Sequence, residues 1–254
     1  MKQFDAYVIC TSPRSGSTLL CKLLQEAGNA GLPESYFHEP SLEKWLDAYG
    51  LQKNDFNNDQ DALHAVFDAV RERGTGKSDI FGLRLQRHSF AFFAEQLAVL
   101  FPSRGNDKSR FEAAFGKTLF VHLTRENKLD QAISYVRARQ TGLWHIAPDG
   151  TELERLGPPR APQYDGAAIS AKRQEFVRMD ADWTAWFEKQ HITPLRIPYD
   201  TLSSAPYTTC ARLLRALGRE AEPVNERTPP VAKLADHINQ DWADRFRKPG
   251  KTTL

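Results

Sequence analysis

Apolar residues cluster in short runs at four places along the chain, and between the runs they recur every three to four residues. Residues 4–10, 80–85, 118–123 and 194–198 form stretches of strand length, and such near-continuous runs are what strands covered on both faces require. Helical periodicity marks residues 17–27, closed by Gly28, and residues 59–73, where Leu63, Val66, Phe67 and Val70 share a face. It returns over 89–101, 128–139, 167–190 and 199–217. Strands alternating with helices predict an α/β fold in three layers, a central, mostly parallel sheet covered by helices on both faces, with ligands taken at the carboxyl ends of the strands. Residues 142–166, rich in Pro and Gly, break the periodicity and read as a mobile loop beside the site. The 254 residues read as one domain, 1–254, with a C-terminal extension at about 220–254.

The first strand leads through Pro13-Arg14-Ser15-Gly16-Ser17-Thr18 into a helix. Unpartnered amides and the positive end of the macrodipole make such a junction an anion site. Arg14 adds a forked cation, Ser15, Ser17 and Thr18 add hydroxyl donors, and Gly16 admits a ligand close to the main chain. The G-x-x-x-x-G-K-[ST] pattern of a nucleotide kinase is missing, since residues 11–18 hold one glycine and no lysine. Cys10 precedes Arg14 too closely for a cysteine phosphatase loop and lies within the strand. A loop for a phosphosulfate remains. A second strand-to-helix junction places Arg125 at a strand end, with Gln131 and Ser134 on nearly one face of the helix that follows, a site for a second phosphate.

Composition narrows the class further. Thirty-four basic and thirty-two acidic residues give a net charge of +2 without a strong block, which does not argue for a nucleic acid or an acidic polymer as partner. Cys10, Cys21 and Cys210, three in number and each in an apolar context, fit reduced thiols and a cytoplasmic location. The start lacks a signal peptide, no run reaches the length of a membrane span, and no metal-ligand spacing occurs. Trp183, Trp186 and Phe187 have the spacing of a buried helical face, His122 sits mid-strand as a core imidazole, and His88 and His191 are isolated.

Ser12-Pro13-Arg14-Ser15-Gly16-Ser17-Thr18-Leu19-Leu20, Gly31-Leu32-Pro33-Glu34-Ser35-Tyr36-Phe37, Gln131-Ala132-Ile133-Ser134 and Gln140-Thr141-Gly142-Leu143-Trp144 follow one another in this order. With Asp182-Trp183-Thr184-Ala185-Trp186-Phe187 and Asp241-Trp242-Ala243-Asp244-Arg245-Phe246, they resemble the bacterial trehalose 2-sulfotransferase family over nearly the whole chain. The resemblance implies a P-loop-like fold and in-line transfer of a sulfuryl group from 3′-phosphoadenosine-5′-phosphosulfate (PAPS) to a hydroxyl of a carbohydrate or glycolipid, with no metal and with a homodimer in some members. It implies that Pro13, Arg14, Ser15, Gly16, Ser17 and Thr18 hold the 5′-phosphosulfate, that Arg14 acts in catalysis, and that Arg125 and Ser134 hold the 3′-phosphate. Arg84 and Trp144, with His145, are expected around the acceptor. One position departs from the family pattern: Ser35 stands where the general-base glutamate is expected. Glu34 is favoured as the base, with His38 and Glu39 near enough to test. Two other readings are a nucleotide kinase-like P-loop enzyme and a non-catalytic, nucleotide-binding homologue that has lost its base.

Overall fold

Every residue of β1 (Ala6–Thr11) is buried, because the strand lies inside a sheet whose two faces are both covered. The computed structural model describes residues 3–221 and 228–248. After β1 come α1 (Ser17–Ala27), α2 (Leu42–Tyr49), α3 (Asp59–Thr75), β2 (Phe81–Gln86), α4 (Arg87–Leu100), α5 (Asp107–Phe115), β3 (Thr118–Thr124) and α6 (Lys128–Thr141). Then follow β4 (Leu143–Ile146), β5 (Glu152–Arg155), α7 (Gly166–Lys189), β6 (Leu195–Pro198), α8 (Tyr199–Ser204), α9 (Pro206–Ala216) and α10 (His237–Arg247). The main sheet has the order β2-β1-β3-β6 with every pairing parallel.

Alternation along β1 builds two cores. Ala6, Val8 and Cys10 face one side and join aromatic residues of α3, α4, α5 and α7. Tyr7 and Ile9 face the other and join Leu20 and Leu24 of α1 and Leu213 of α9. A third core, away from the sheet, packs Ile133 and Val136 of α6 against Phe176 and Met179 of α7 and Trp242 of α10. The three-layer α/β expectation is borne out.

The elements depart from the periodicity in three places. Short helices α2 and α5 start at Ser41 and Asn106, whose side chains accept from Lys44 N and Ser109 N; eight or nine residues carry too few turns to show a period. The helix expected over 199–217 is two helices, because Pro206 holds Ala205 at φ −137°, ψ 66°, outside the helical region. Residues 142–166 contain the antiparallel hairpin β4–β5 rather than an unbroken loop. Of the C-terminal extension, residues 222–227 and 249–254 lie outside the described residues. Residues 228–235 run towards that hairpin, where Ala232 N donates to Ile146 O at 2.9 Å. No helix among the described residues is long and apolar enough to cross a membrane.

Candidate active site

Four parallel strands bring their carboxyl ends together, and the chain winds outward from β1 to β2 on one side and to β3 on the other. The reversal between β1 and β3 opens a crevice at their carboxyl ends, the usual ligand position in such sheets. The loop after β1 fills this position and is braced from three directions. Trp183 Nε1 donates to Thr11 O at 2.9 Å, and Thr11 Oγ1 donates to Leu123 O at 3.0 Å while meeting the Ser15 hydroxyl. Fully buried Gln131 donates through Nε2 to Ser12 Oγ at 3.0 Å and to Pro13 O at 2.7 Å. Two expectations change accordingly. Ser15 is wholly buried and its hydroxyl braces the loop instead of facing a ligand, and Gln131 fixes the loop rather than a phosphate.

Gly16 has φ 87°, in the left-handed region, and a Cβ there would stand 2.7 Å from Tyr199 Cδ2. Glycine is thus required both by conformation and by the close approach of Tyr199. Arg14, with φ 61°, aims its guanidinium across the cavity. Its Nε donates to Ser134 Oγ at 3.0 Å and its Nη1 to Trp144 O at 2.6 Å. Burial, and then the nearby Arg125, push the Arg14 pKa down to about 10, so the group stays a cation at neutral pH. Arg125 donates from Nη1 to Arg14 O at 3.4 Å, and its guanidinium lies 4.4 Å from the centre of the Tyr199 ring. The two anion sites expected from separate stretches of sequence are therefore adjacent and joined through Arg14.

On the opposite wall, Arg84 donates from Nε to Ser35 Oγ at 2.7 Å and from Nη1 to Thr18 Oγ1 at 3.0 Å. Thr18 Oγ1 lies 3.1 Å from His145 Nε2, which lies 3.4 Å from Glu154 Oε2. Burial first, then Arg14, Arg84 and Lys22, push the His145 pKa down to about 3, leaving a neutral imidazole. Apart from Lys22, these groups line one cavity of about 820 Å³ with Arg14, Arg125, Ser134 and Tyr199. A side pocket of about 130 Å³ shares Arg14 and Ser134 with it and is walled by Arg137, Arg155 and Arg160.

Glu34 is not brought to this cavity. It forms a parallel bridge with Leu83, its carbonyl accepts from Arg84 N at 3.0 Å, and its exposed carboxylate accepts from Gln25 Nε2 at 3.4 Å. In extended backbone the neighbouring side chain takes the other face, so Ser35 turns inward and Glu34 outward. His38 and Glu39 do line the cavity, at half-exposed positions, with the His38 and His88 rings 4.8 Å apart. Trp144 also lines it, edge-on to Tyr135 at 5.5 Å. Sequence reasoning missed Tyr199, Glu154 and the residues Val231 and Leu234. Tyr199 was within reach, since it follows β6 at a strand end; no local signal points to the other three.

Two neutral histidines predict sensitivity to acid. His122 in β3 is buried, its Nδ1 lies 3.4 Å from Arg196 Nη1, and burial followed by Arg196 and Lys128 lowers its pKa to about 4. Unfolded, both imidazoles bind protons near 6.5. Their stabilising contribution is therefore complete above that pH and is lost as pH falls through about 4 for His122 and about 3 for His145. Denaturant midpoints should fall steadily from about pH 6.5 to about pH 4, before most carboxylates titrate; a flat series would show that the histidines are not held neutral.

The sequence profile of the Stf0 sulphotransferase family matches residues 6–249. A trehalose 2-sulfotransferase of Mycobacterium tuberculosis (strain Erdman) is 27% identical over 261 aligned positions, covering 95% of this chain and 94% of that protein. A trehalose 2-sulfotransferase of Mycolicibacterium smegmatis is 25% identical, covering 96% of this chain and 94% of that one. A solved sulfotransferase domain from the curacin biosynthetic pathway superposes with a TM-score of 0.49 at 16% identity, covering 88% of this chain and 77% of that one.

Proposed function

The chain belongs to the Stf0 sulphotransferase family, and from that premise we propose that it transfers the sulfuryl group of PAPS to a hydroxyl of a carbohydrate or glycolipid acceptor. The observation that carries the donor assignment is the Arg14–Ser134 hydrogen bond of 3.0 Å, which joins the loop after β1 to the site after β3 within one cavity. A ligand with two anionic groups, one at each end of a nucleoside, suits that arrangement; a single terminal phosphate chain does not. Pro13, Arg14, Gly16, Ser17 and Thr18 are assigned to the 5′-phosphosulfate, with Ser15 acting through the loop it braces. Arg125 and Ser134 are assigned to the 3′-phosphate. Arg84 and Trp144 face the acceptor, and the names of the two curated relatives make trehalose the first acceptor to try.

The chemistry resembles phosphoryl transfer: charge builds on the leaving phosphate, and positioned cations and amides stabilise it. Titration calorimetry with 3′-phosphoadenosine-5′-phosphate against ATP and ADP tests the donor. Preference for the 3′-phosphorylated nucleotide is expected. Arg125→Ala should cost it about 1.5–3 kcal/mol, roughly 10- to 150-fold in Kd, with little effect on nucleotides lacking that phosphate. Equal binding of ATP, or an Arg125→Ala variant that binds as the parent does, would sink the assignment.

A further inference from the structure

The attacking hydroxyl must lose a proton, and the residue closest in sequence to the expected base, Glu34, has its carboxylate on Gln25 outside the cavity. Ser35, which does face inward, has no proton affinity at neutral pH and is occupied by Arg84. The remaining proton acceptors lining the cavity are His38, Glu39, His88, Glu175, His145 and Glu154. Of these, His145 is the group whose ring nitrogen touches the phosphosulfate loop, at Thr18.

Resting on the sulfuryl-transfer reading above, we propose that His145 is the general base, with Glu154 as its positioning partner. Arg84 donates to the Thr18 oxygen, and in the tautomer with the ring proton on Nδ1 the Thr18 hydroxyl donates to His145 Nε2. An acceptor hydroxyl entering between Arg84 and His145 takes the place of the Thr18 hydroxyl at the Nε2 lone pair. As its oxygen bonds to sulfur, the bond from sulfur to the bridging oxygen of the 5′-phosphate breaks, and that electron pair leaves with 3′-phosphoadenosine-5′-phosphate. The hydroxyl proton passes to Nε2, where Glu154 Oε2, at 3.4 Å, stabilises the imidazolium. In the free protein the charged groups facing the ring are Arg14, Arg84 and Lys22, which oppose its protonation, and Glu154, which favours it. The anionic donor lies against those two arginines, so loading the donor raises the basicity of His145 where it is needed. The sequence points to His145 near the acceptor but not to its pairing with Glu154, which reaches the ring through the β4–β5 hairpin.

His145→Gln and Glu154→Gln test the assignment with PAPS as donor, and with trehalose or water alone as acceptor, reading release of 3′-phosphoadenosine-5′-phosphate. For His145→Gln, turnover is expected to fall by about 10²- to 10⁴-fold while calorimetric affinity for 3′-phosphoadenosine-5′-phosphate stays within about threefold. Glu154→Gln should lower turnover less and move the acidic limb of the kcat/KM profile to lower pH, because the imidazolium loses its partner; a packing defect would not move that limb. Turnover of His145→Gln at the parent level, or a loss of nucleotide affinity equal to the loss of rate, overturns the proposal. Failure of the unsubstituted protein to bind 3′-phosphoadenosine-5′-phosphate would instead overturn the sulfuryl-transfer reading itself.

Discussion

Arg14→Ala is expected to lower turnover of PAPS by at least about 10²- to 10³-fold, the loss typical of removing one preorganised donor from a site of developing charge. The same change should weaken nucleotide binding, because Arg14 joins the two halves of the site through Ser134 Oγ and Trp144 O. Truncation leaves the Trp144 carbonyl without that donor and lets β4 shift at the cavity wall. Arg14→Lys should rescue only partly: an ammonium restores the charge but not the fork that spans both partners. Steady-state kinetics on the three proteins check this, and a lysine variant at parental rate would show that charge alone suffices.

Trp183→Ala should have the largest effect on stability. The side chain is fully buried in the aromatic core beneath the sheet, stacked on Phe187 with centroids 5.9 Å apart, and its indole N–H fills the Thr11 carbonyl at the end of β1. Loss of a buried Trp costs about 3–5 kcal/mol, roughly 6–20 °C in Tm for a chain of this size. Trp183→Phe isolates the hydrogen bond: most of the volume returns, Thr11 O stays unpaired, and a cost of about 1–3 kcal/mol remains. Thermal unfolding of both variants provides the comparison, and a phenylalanine variant as stable as the parent would remove any special role for the indole N–H.

Much of the fold was legible because its signals are local and long. The four strands of the main sheet and helices α1, α3, α6 and α7 each carry enough apolar positions to show a pattern. Trp183, Trp186 and Phe187 were readable as packing residues for the same reason. The loop after β1 was legible as a strand-to-helix junction, and it lines the cavity where that junction predicts a ligand. What escaped depends on which way a side chain turns. Ser15 and Gln131 have the residue types of ligands, but register turns them into braces. Glu34 and Ser35 are adjacent, and the pairing of Glu34 with Leu83 on the sheet decides which of them faces the cavity. Glu154 and Val231 reach the site across long separations that no periodicity encodes.

The loop holds its shape at a cost to the chain that carries it. Arg14 adopts a φ of 61°, strained for a residue with a side chain, by about 1–3 kcal/mol. Its guanidinium is kept charged in a setting where burial and Arg125 both oppose the charge. Among the described residues no carboxylate forms an ion pair with either arginine, Glu154 acting on Arg14 only at longer range, whereas a doubly anionic nucleotide would meet both. Ligand and fold are thus thermodynamically one system at this point: saturating nucleotide at about 100 times its Kd adds about 2.7 kcal/mol to the unfolding free energy by mass action. The melting temperature of the unlabelled protein therefore serves as a direct gauge of occupancy, usable for ranking donors before any acceptor is known.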